Sequence, residues 1–182
     1  MDHSTPARAP EILLSRYDIE QRVRELAAAI KRDYHGSTLH LIGILKGAWI
    51  FMADLIRHLD LDVTVDFLGI TSYGSNTHSS GEVKITKDLD VSIEGREVLI
   101  VEDILDTGRT LRYLEEVLSA HKPLRLRAVT LLDKRSRRIV PVKADYVGFE
   151  IADVFVVGYG LDFDHKYRQL PDIHVLRGEP SP

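Results

Sequence analysis

The sequence predicts an α/β protein: a mostly parallel central sheet flanked by helices, with a small additional subdomain. Three observations carry this reading. Apolar runs of strand length alternate with amphipathic segments. The run Val98-Leu99-Ile100-Val101 does not alternate apolar with polar, as expected of a strand buried on both faces. Charged residues gather just after the runs, where sheets of this class bind their ligands.

The elements follow in order. Asp18 followed by Gln21 reads as a variant capping box, opening a helix on Ile19, Val23, Leu26, Ala27 and Ile30, with Gly36 as its stop. Residues 39–45 form an apolar run of strand length, broken by Lys46-Gly47, and residues 48–59 read as a helix. Residues 63–70 make the next strand. Residues 71–81 are rich in Ser, Thr, Asn and Gly and predict a long mobile loop, a kind of segment that often carries function. The buried strand at 98–101 leads into a turn and a helix over 109–120. Strands then follow at 124–132, 145–150 and 154–159. Lys46, Glu102, Asp103, Asp106 and Lys134 all fall just past predicted strand ends, so they should collect along one sheet edge.

Bulk properties narrow the field. A chain of 182 residues suffices for one domain over 1–182, with residues 1–10 and 178–182 as loose tails. A net charge of -4 argues against non-specific nucleic-acid binding. With no cysteine there is no disulfide framework, thiolate nucleophile or thiolate metal site. No stretch approaches the ~18 apolar residues of a membrane span. Residues 1–10 hold no apolar signal region, which makes the cytoplasm the default location.

The stretch from Val98 to Leu111 says most about chemistry. Its apolar run ends in Glu102 and Asp103, and Asp106 then opens the turn Thr107-Gly108-Arg109-Thr110. A turn into a helix offers free backbone N–H groups, an anion site. Acids beside an anion site make sense if one ligand carries a phosphate together with hydroxyls or a metal. Solvated acids at a strand end and a helix cap are the plainer alternative. Neither of the common Gly-rich phosphate-loop patterns is present. From the residues alone, Lys46-Gly47 is a strand-to-helix turn and Phe155 a core aromatic. Lys134, Arg135, Arg137 and Arg138 form a solvated basic loop, and Tyr73 is an exposed side chain in a loop.

Residues 98–111 closely resemble the phosphoribosyl-pyrophosphate signature of the type I phosphoribosyltransferases, and residues 39–177 as a whole resemble the hypoxanthine-guanine branch. The resemblance implies the type I fold with a small hood subdomain. It implies Asp106 as the acid near the purine N7 and proton acceptor, and Glu102 and Asp103 as the pair on the ribose hydroxyls and a Mg²⁺. Asp106, Thr107, Gly108, Arg109 and Thr110 become the 5'-phosphate loop, with Arg109 where relatives often carry Lys. Lys46 and Gly47 match the pyrophosphate loop, where the family often has a cis peptide, and Arg168 matches a pyrophosphate-binding arginine. Lys134 matches the lysine at the purine O6, where a cation would select 6-oxopurines over adenine. Phe155 corresponds to the aromatic stacked on the purine, Val156 to a backbone contact with its edge, and Asp162 to an acid near Mg²⁺. Ser72 and Tyr73 resemble the pair in a mobile flap that excludes water. None of the eight histidines forms a metal or nucleophile pattern.

The implied reaction joins hypoxanthine, and guanine, to phosphoribosyl pyrophosphate, giving the nucleoside monophosphate and pyrophosphate in purine salvage. Mg²⁺ is the cofactor and a homodimer or homotetramer the assembly, with no nucleic-acid or membrane partner. Two alternatives stay open: a preference for xanthine, and a non-catalytic nucleic-acid-binding regulator that keeps the fold.

Overall fold

The computed structural model of the chain describes residues 11–72 and 83–176. A six-stranded sheet is built from β2 (Leu39–Leu45), β3 (Val63–Ser72), β4 (Val83–Lys87), β5 (Glu97–Leu105), β6 (Arg125–Asp133) and β7 (Tyr146–Glu150), in the order β4-β3-β2-β5-β6-β7. All its pairings are parallel except that of β4 with β3.

The absence of alternation in the central strands is explained by cover on both faces. Leu39 and Leu41 of β2, with Leu99 and Val101 of β5, pack beneath the helices α1 (Arg16–Asp33) and α2 (Trp49–His58). Ile42, Ile44, Val98 and Ile100 point the other way, to Leu111, Leu114 and Leu118 of α3 (Arg109–Ala120). Every residue of β2 except Leu45 is buried.

A second, antiparallel sheet of three strands forms the small hood expected from the sequence. Its order is β1-β9-β8, from β1 (Glu11–Leu14), β8 (Val156–Val157) and β9 (Ile173–Val175). It joins the two ends of the described chain, since Glu11 pairs with Val175.

Several boundaries differ from the sequence reading. Helix α1 starts at Arg16, capped by Ser15. The Ser15 hydroxyl accepts from the Asp18 amide at 3.2 Å, while Asp18 serves as the reciprocal N3 partner rather than as the cap. The helix ends at Asp33, three residues before Gly36. The strand β5 does not stop at Val101. Its ladder with β6 continues to Leu105 opposite Asp133, so Glu102 and Asp103 sit within the strand rather than past its end. The strand expected over 154–159 is only Val156–Val157. Strands β1, β4 and β9 were not anticipated. They are short, and their partners are supplied by distant segments rather than by local periodicity. The strand β3 extends through Ser72, so Thr71 and Ser72 belong to the sheet. The rest of the expected mobile loop, including Tyr73 of the flap pair, lies outside the described residues, as do both expected tails.

Candidate active site

The carboxyl ends of the parallel strands open into a cavity of about 480 Å³. Five separate stretches line it: 44–47 at the end of β2, Ile70 of β3, 102–108 with Thr110 from β5 and its turn, Leu161-Asp162, and Arg168. Of the expected site residues, Lys46, Gly47, Glu102, Asp103, Asp106, Thr107, Gly108, Thr110, Asp162 and Arg168 therefore meet in one place.

The turn after β5 has the features of an anion cradle. Gly108 is left-handed (φ 86°) and forms the N-cap of α3 without any side-chain cap. The Arg109 amide makes a long contact of 3.5 Å with Thr107 Oγ1, and no side chain caps the helix start, which lies at the positive end of its dipole. Behind the turn, Arg138 donates from Nε to the Asp106 carbonyl at 3.2 Å and from Nη1 to the Val142 carbonyl at 3.1 Å, and it ion-pairs with Asp133. The Thr107 carbonyl accepts from the amides of Ile139 and Val140, each at 3.0 Å. The turn is thus held through the carbonyls of Asp106 and Thr107.

Glu102 is only 4% exposed and Asp103 half-buried. Burial, reinforced by the neighbouring Asp103 carboxylate, pushes the Glu102 carboxyl up to about 8, against a weaker opposing pull from Arg138. Burial pushes Asp103 up in the same direction. Two acids held this way favour a cationic or hydroxyl-bearing ligand. Among the described residues no three acids or histidines are grouped closely enough to hold a metal unaided. A cation there would need ligand oxygens and water to complete its shell.

This raised group gives a signed prediction. Folding favours the protonated form of Glu102, so its contribution to stability falls as pH climbs from the ordinary value of 4.5 toward about 8. Glu102→Gln in the metal-free protein should raise Tm relative to wild type at pH 8 and much less at pH 5. The gain at pH 8 should be several degrees, since a chain of this size moves by about 2–4 °C per kcal/mol. Equal shifts at the two pH values would show that Glu102 is not held protonated.

On the far side, the Leu45–Lys46 peptide is cis. Gly47 packs so closely on Asp103 that a Cβ would lie 1.6 Å from its Oδ2. Arg168 ion-pairs through Nη2 with Asp162 Oδ1 at 2.7 Å and donates from Nη1 to the Gly160 carbonyl at 2.6 Å. Asp162 also accepts from the His165 amide at 2.9 Å.

Of the expected residues whose side chains are described, four do not line this cavity. Arg109 is exposed at the start of α3. Lys134 is 3% exposed; its amide donates to the Leu105 carbonyl at 2.9 Å and its Nζ lies 3.9 Å from Asp153. Burial lowers the Lys134 ammonium, and the charges of Asp106 and Asp153 oppose that shift. Phe155 meets Phe163 edge-on at 5.5 Å, and Val156 is buried in the hood sheet against Val175. Sequence reasoning left Arg137 in a solvated basic loop, yet its Nε ion-pairs with Asp106 Oδ1 at 3.2 Å.

A turn into a helix with no side-chain cap, an acid pair beside it and an arginine ion-paired with Asp162 thus line one cavity at the carboxyl ends of an α/β sheet. Residues 11–164 match the model of the phosphoribosyl transferase domain, and the chain belongs to that family. Within the family it is similar to hypoxanthine-guanine phosphoribosyltransferases. It is 52% identical over 167 residues to the one from Bacillus subtilis (strain 168), covering 92% of this chain and 93% of that protein. It is 49% identical over 169 residues to the one from Staphylococcus aureus (strain Mu50), covering 93% and 94%. The crystal structure of the enzyme from Bacillus anthracis superimposes with a TM-score of 0.87 at 48% identity, covering 91% of this chain and 98% of that one.

Proposed function

We propose that this protein is a hypoxanthine-guanine phosphoribosyltransferase of purine salvage. It transfers the phosphoribosyl group of phosphoribosyl pyrophosphate to hypoxanthine or guanine, giving IMP or GMP and pyrophosphate. The observation that carries this reading is the convergence of the Asp106–Thr110 turn, the Glu102–Asp103 pair and the Lys46, Asp162 and Arg168 segments on one cavity.

In this reading the amides of the 106–110 turn hold the 5'-phosphate, and Glu102 and Asp103 fix the ribose hydroxyls. Lys46, Gly47 and Arg168 hold the pyrophosphate. A purine nitrogen attacks C1' of the ribose as the bond to pyrophosphate breaks, and cations around the leaving group stabilise its developing charge. Asp106, oriented by Arg137, accepts the proton that the purine gives up. Lys134 faces the purine O6, Phe155 stacks on the ring and the Val156 backbone meets its edge. The donor set fits Mg²⁺, because buried acids with raised proton affinity gain from a cation in place of the proton. Glu102 and Asp103 would hold it through the ribose, and Asp162 on the pyrophosphate side. Bound Mg²⁺ supplies charge neutralisation at the leaving pyrophosphate. Ser72 and Tyr73 belong to the flap that closes over the reacting centre.

The setting is the cytoplasm, in keeping with described helices none of which is long and apolar enough to cross a membrane. The working form is a homodimer or homotetramer, for which the exposed Tyr17 and Trp49 offer apolar surface.

The test is a spectrophotometric assay with phosphoribosyl pyrophosphate, Mg²⁺ and each of hypoxanthine, guanine, xanthine and adenine. Turnover with hypoxanthine or guanine but not adenine is expected. Turnover confined to xanthine would reassign the base. Binding of phosphoribosyl pyrophosphate without turnover of any base would point to a regulator.

A further inference from the structure

We propose that Tyr159 and Asp54 form a positioning pair that sets the spacing between the two segments assigned to pyrophosphate, and this rests on the function proposed above. Lys46-Gly47 stands at the head of α2, and Asp162 and Arg168 stand on the loop after β8. These segments are far apart in sequence and must present their cationic and polar groups at a fixed separation. The Tyr159 hydroxyl donates to Asp54 Oδ2 at 2.7 Å, linking that loop to the middle of α2.

Three features mark the link as a tether rather than incidental packing. First, Tyr159 is a non-glycine residue at positive φ (50°), a conformation that L-residues rarely adopt, and it is flanked by Gly158 and Gly160, both at φ 99°. Its backbone is nonetheless fixed, with the Tyr159 amide on the Leu170 carbonyl at 2.8 Å and the Gly160 amide on the Arg168 carbonyl at 3.0 Å. Secondly, the ring is 7% exposed. Burial and the bond to Asp54 push the phenol far above its ordinary value, so the hydroxyl remains a donor at any working pH. Thirdly, the next residue packs directly on the other segment: a Cβ on Gly160 would stand 2.2 Å from the Gly47 carbonyl oxygen. The Gly160 carbonyl in turn accepts from Arg168. A shift of the Tyr159 loop along α2 therefore moves Arg168 and Asp162 relative to Gly47. Asp54 is not among the residues lining the cavity; it lines a separate hollow of about 720 Å³ with Tyr159, Ile50 and Arg57.

The test uses inorganic pyrophosphate with Mg²⁺, titrated calorimetrically into wild type, Tyr159→Phe, Asp54→Ala and the double variant, beside steady-state kinetics. Each single variant should weaken pyrophosphate about ten-fold, the loss of roughly one hydrogen bond, and raise KM for phosphoribosyl pyrophosphate in parallel. KM for hypoxanthine should stay within about two-fold, and the double variant should bind no more weakly than either single one, as a shared pair requires. Asp54 is half-buried on a helix surface, so Asp54→Ala keeps the test open if Tyr159→Phe folds poorly. Unchanged pyrophosphate binding in both single variants, or equal rises in the two KM values, would overturn the tether. Wild type that fails to bind pyrophosphate would instead overturn the assignment of Lys46 and Arg168.

Discussion

Asp106→Asn should lower kcat with hypoxanthine by about 10²–10⁴-fold, the span that a positioned general acid or base contributes. The substitution is nearly isosteric, so the lost quantity is the capacity to accept a proton rather than the shape of the turn. The turn itself is anchored elsewhere, by Arg138 on the Asp106 carbonyl and by the two amides on the Thr107 carbonyl. The ion pair that disappears, Arg137 to Asp106, is about a quarter exposed on both sides, and Arg137 keeps Asp153 at 3.6 Å. A pair so placed contributes about 0–1 kcal/mol, so the melting temperature should move little. In the proposed reading backbone amides hold the phosphate, so binding of phosphoribosyl pyrophosphate should survive. A variant that turns over like wild type would remove Asp106 from the chemistry. A variant that loses turnover together with its melting transition would make Asp106 structural.

The contrast between Asp106 and Arg137 shows what a sequence discloses about such a site. Asp106 lies in a local signature whose parts are neighbours in the chain, so the acids, the turn and the helix start announce one another. Arg137 is 31 residues from its partner, and nothing in a run of basic residues says which one turns inward. Tyr159 and Asp54, 105 residues apart, are silent for the same reason. The fold divides in the same way. The strand β2 and the helix α3 were legible because their patterns are complete within one window, a fully apolar run or a leucine stripe at 111, 114 and 118. The strands β1 and β9 have four and three residues and become strands only by finding each other. Glu102 and Asp103 misled for a physical reason. Acids usually end a buried strand, but here the β6 ladder carries the strand past them, leaving Glu102 buried and Asp103 half-buried.

Gly160→Ala should be among the most damaging single substitutions outside the hydrophobic core, because two independent costs coincide there. The backbone is at φ 99°, where an L side chain costs about 1–3 kcal/mol. The added Cβ would also meet the Gly47 carbonyl oxygen at 2.2 Å, a backbone atom of a cavity-lining residue that has no rotamer to retreat into. Overpacking of this kind adds about 1–3 kcal/mol more. The sum, a few kcal/mol, corresponds to a fall in Tm of roughly ten degrees for a chain of this length. Gly36→Ala supplies the control. Gly36 is also left-handed, at φ 82°, but nothing lies within 4 Å of where its Cβ would be, so it carries the conformational cost alone. The difference between the two melting shifts therefore isolates the contact between the Gly47 and Gly160 segments. Pyrophosphate binding should fall with Gly160→Ala and stay unchanged with Gly36→Ala, since only the first displaces the lysine and arginine segments from each other. Equal melting shifts and equal affinities would mean that the two loops do not bear on one another, and that their approach is not what shapes the site.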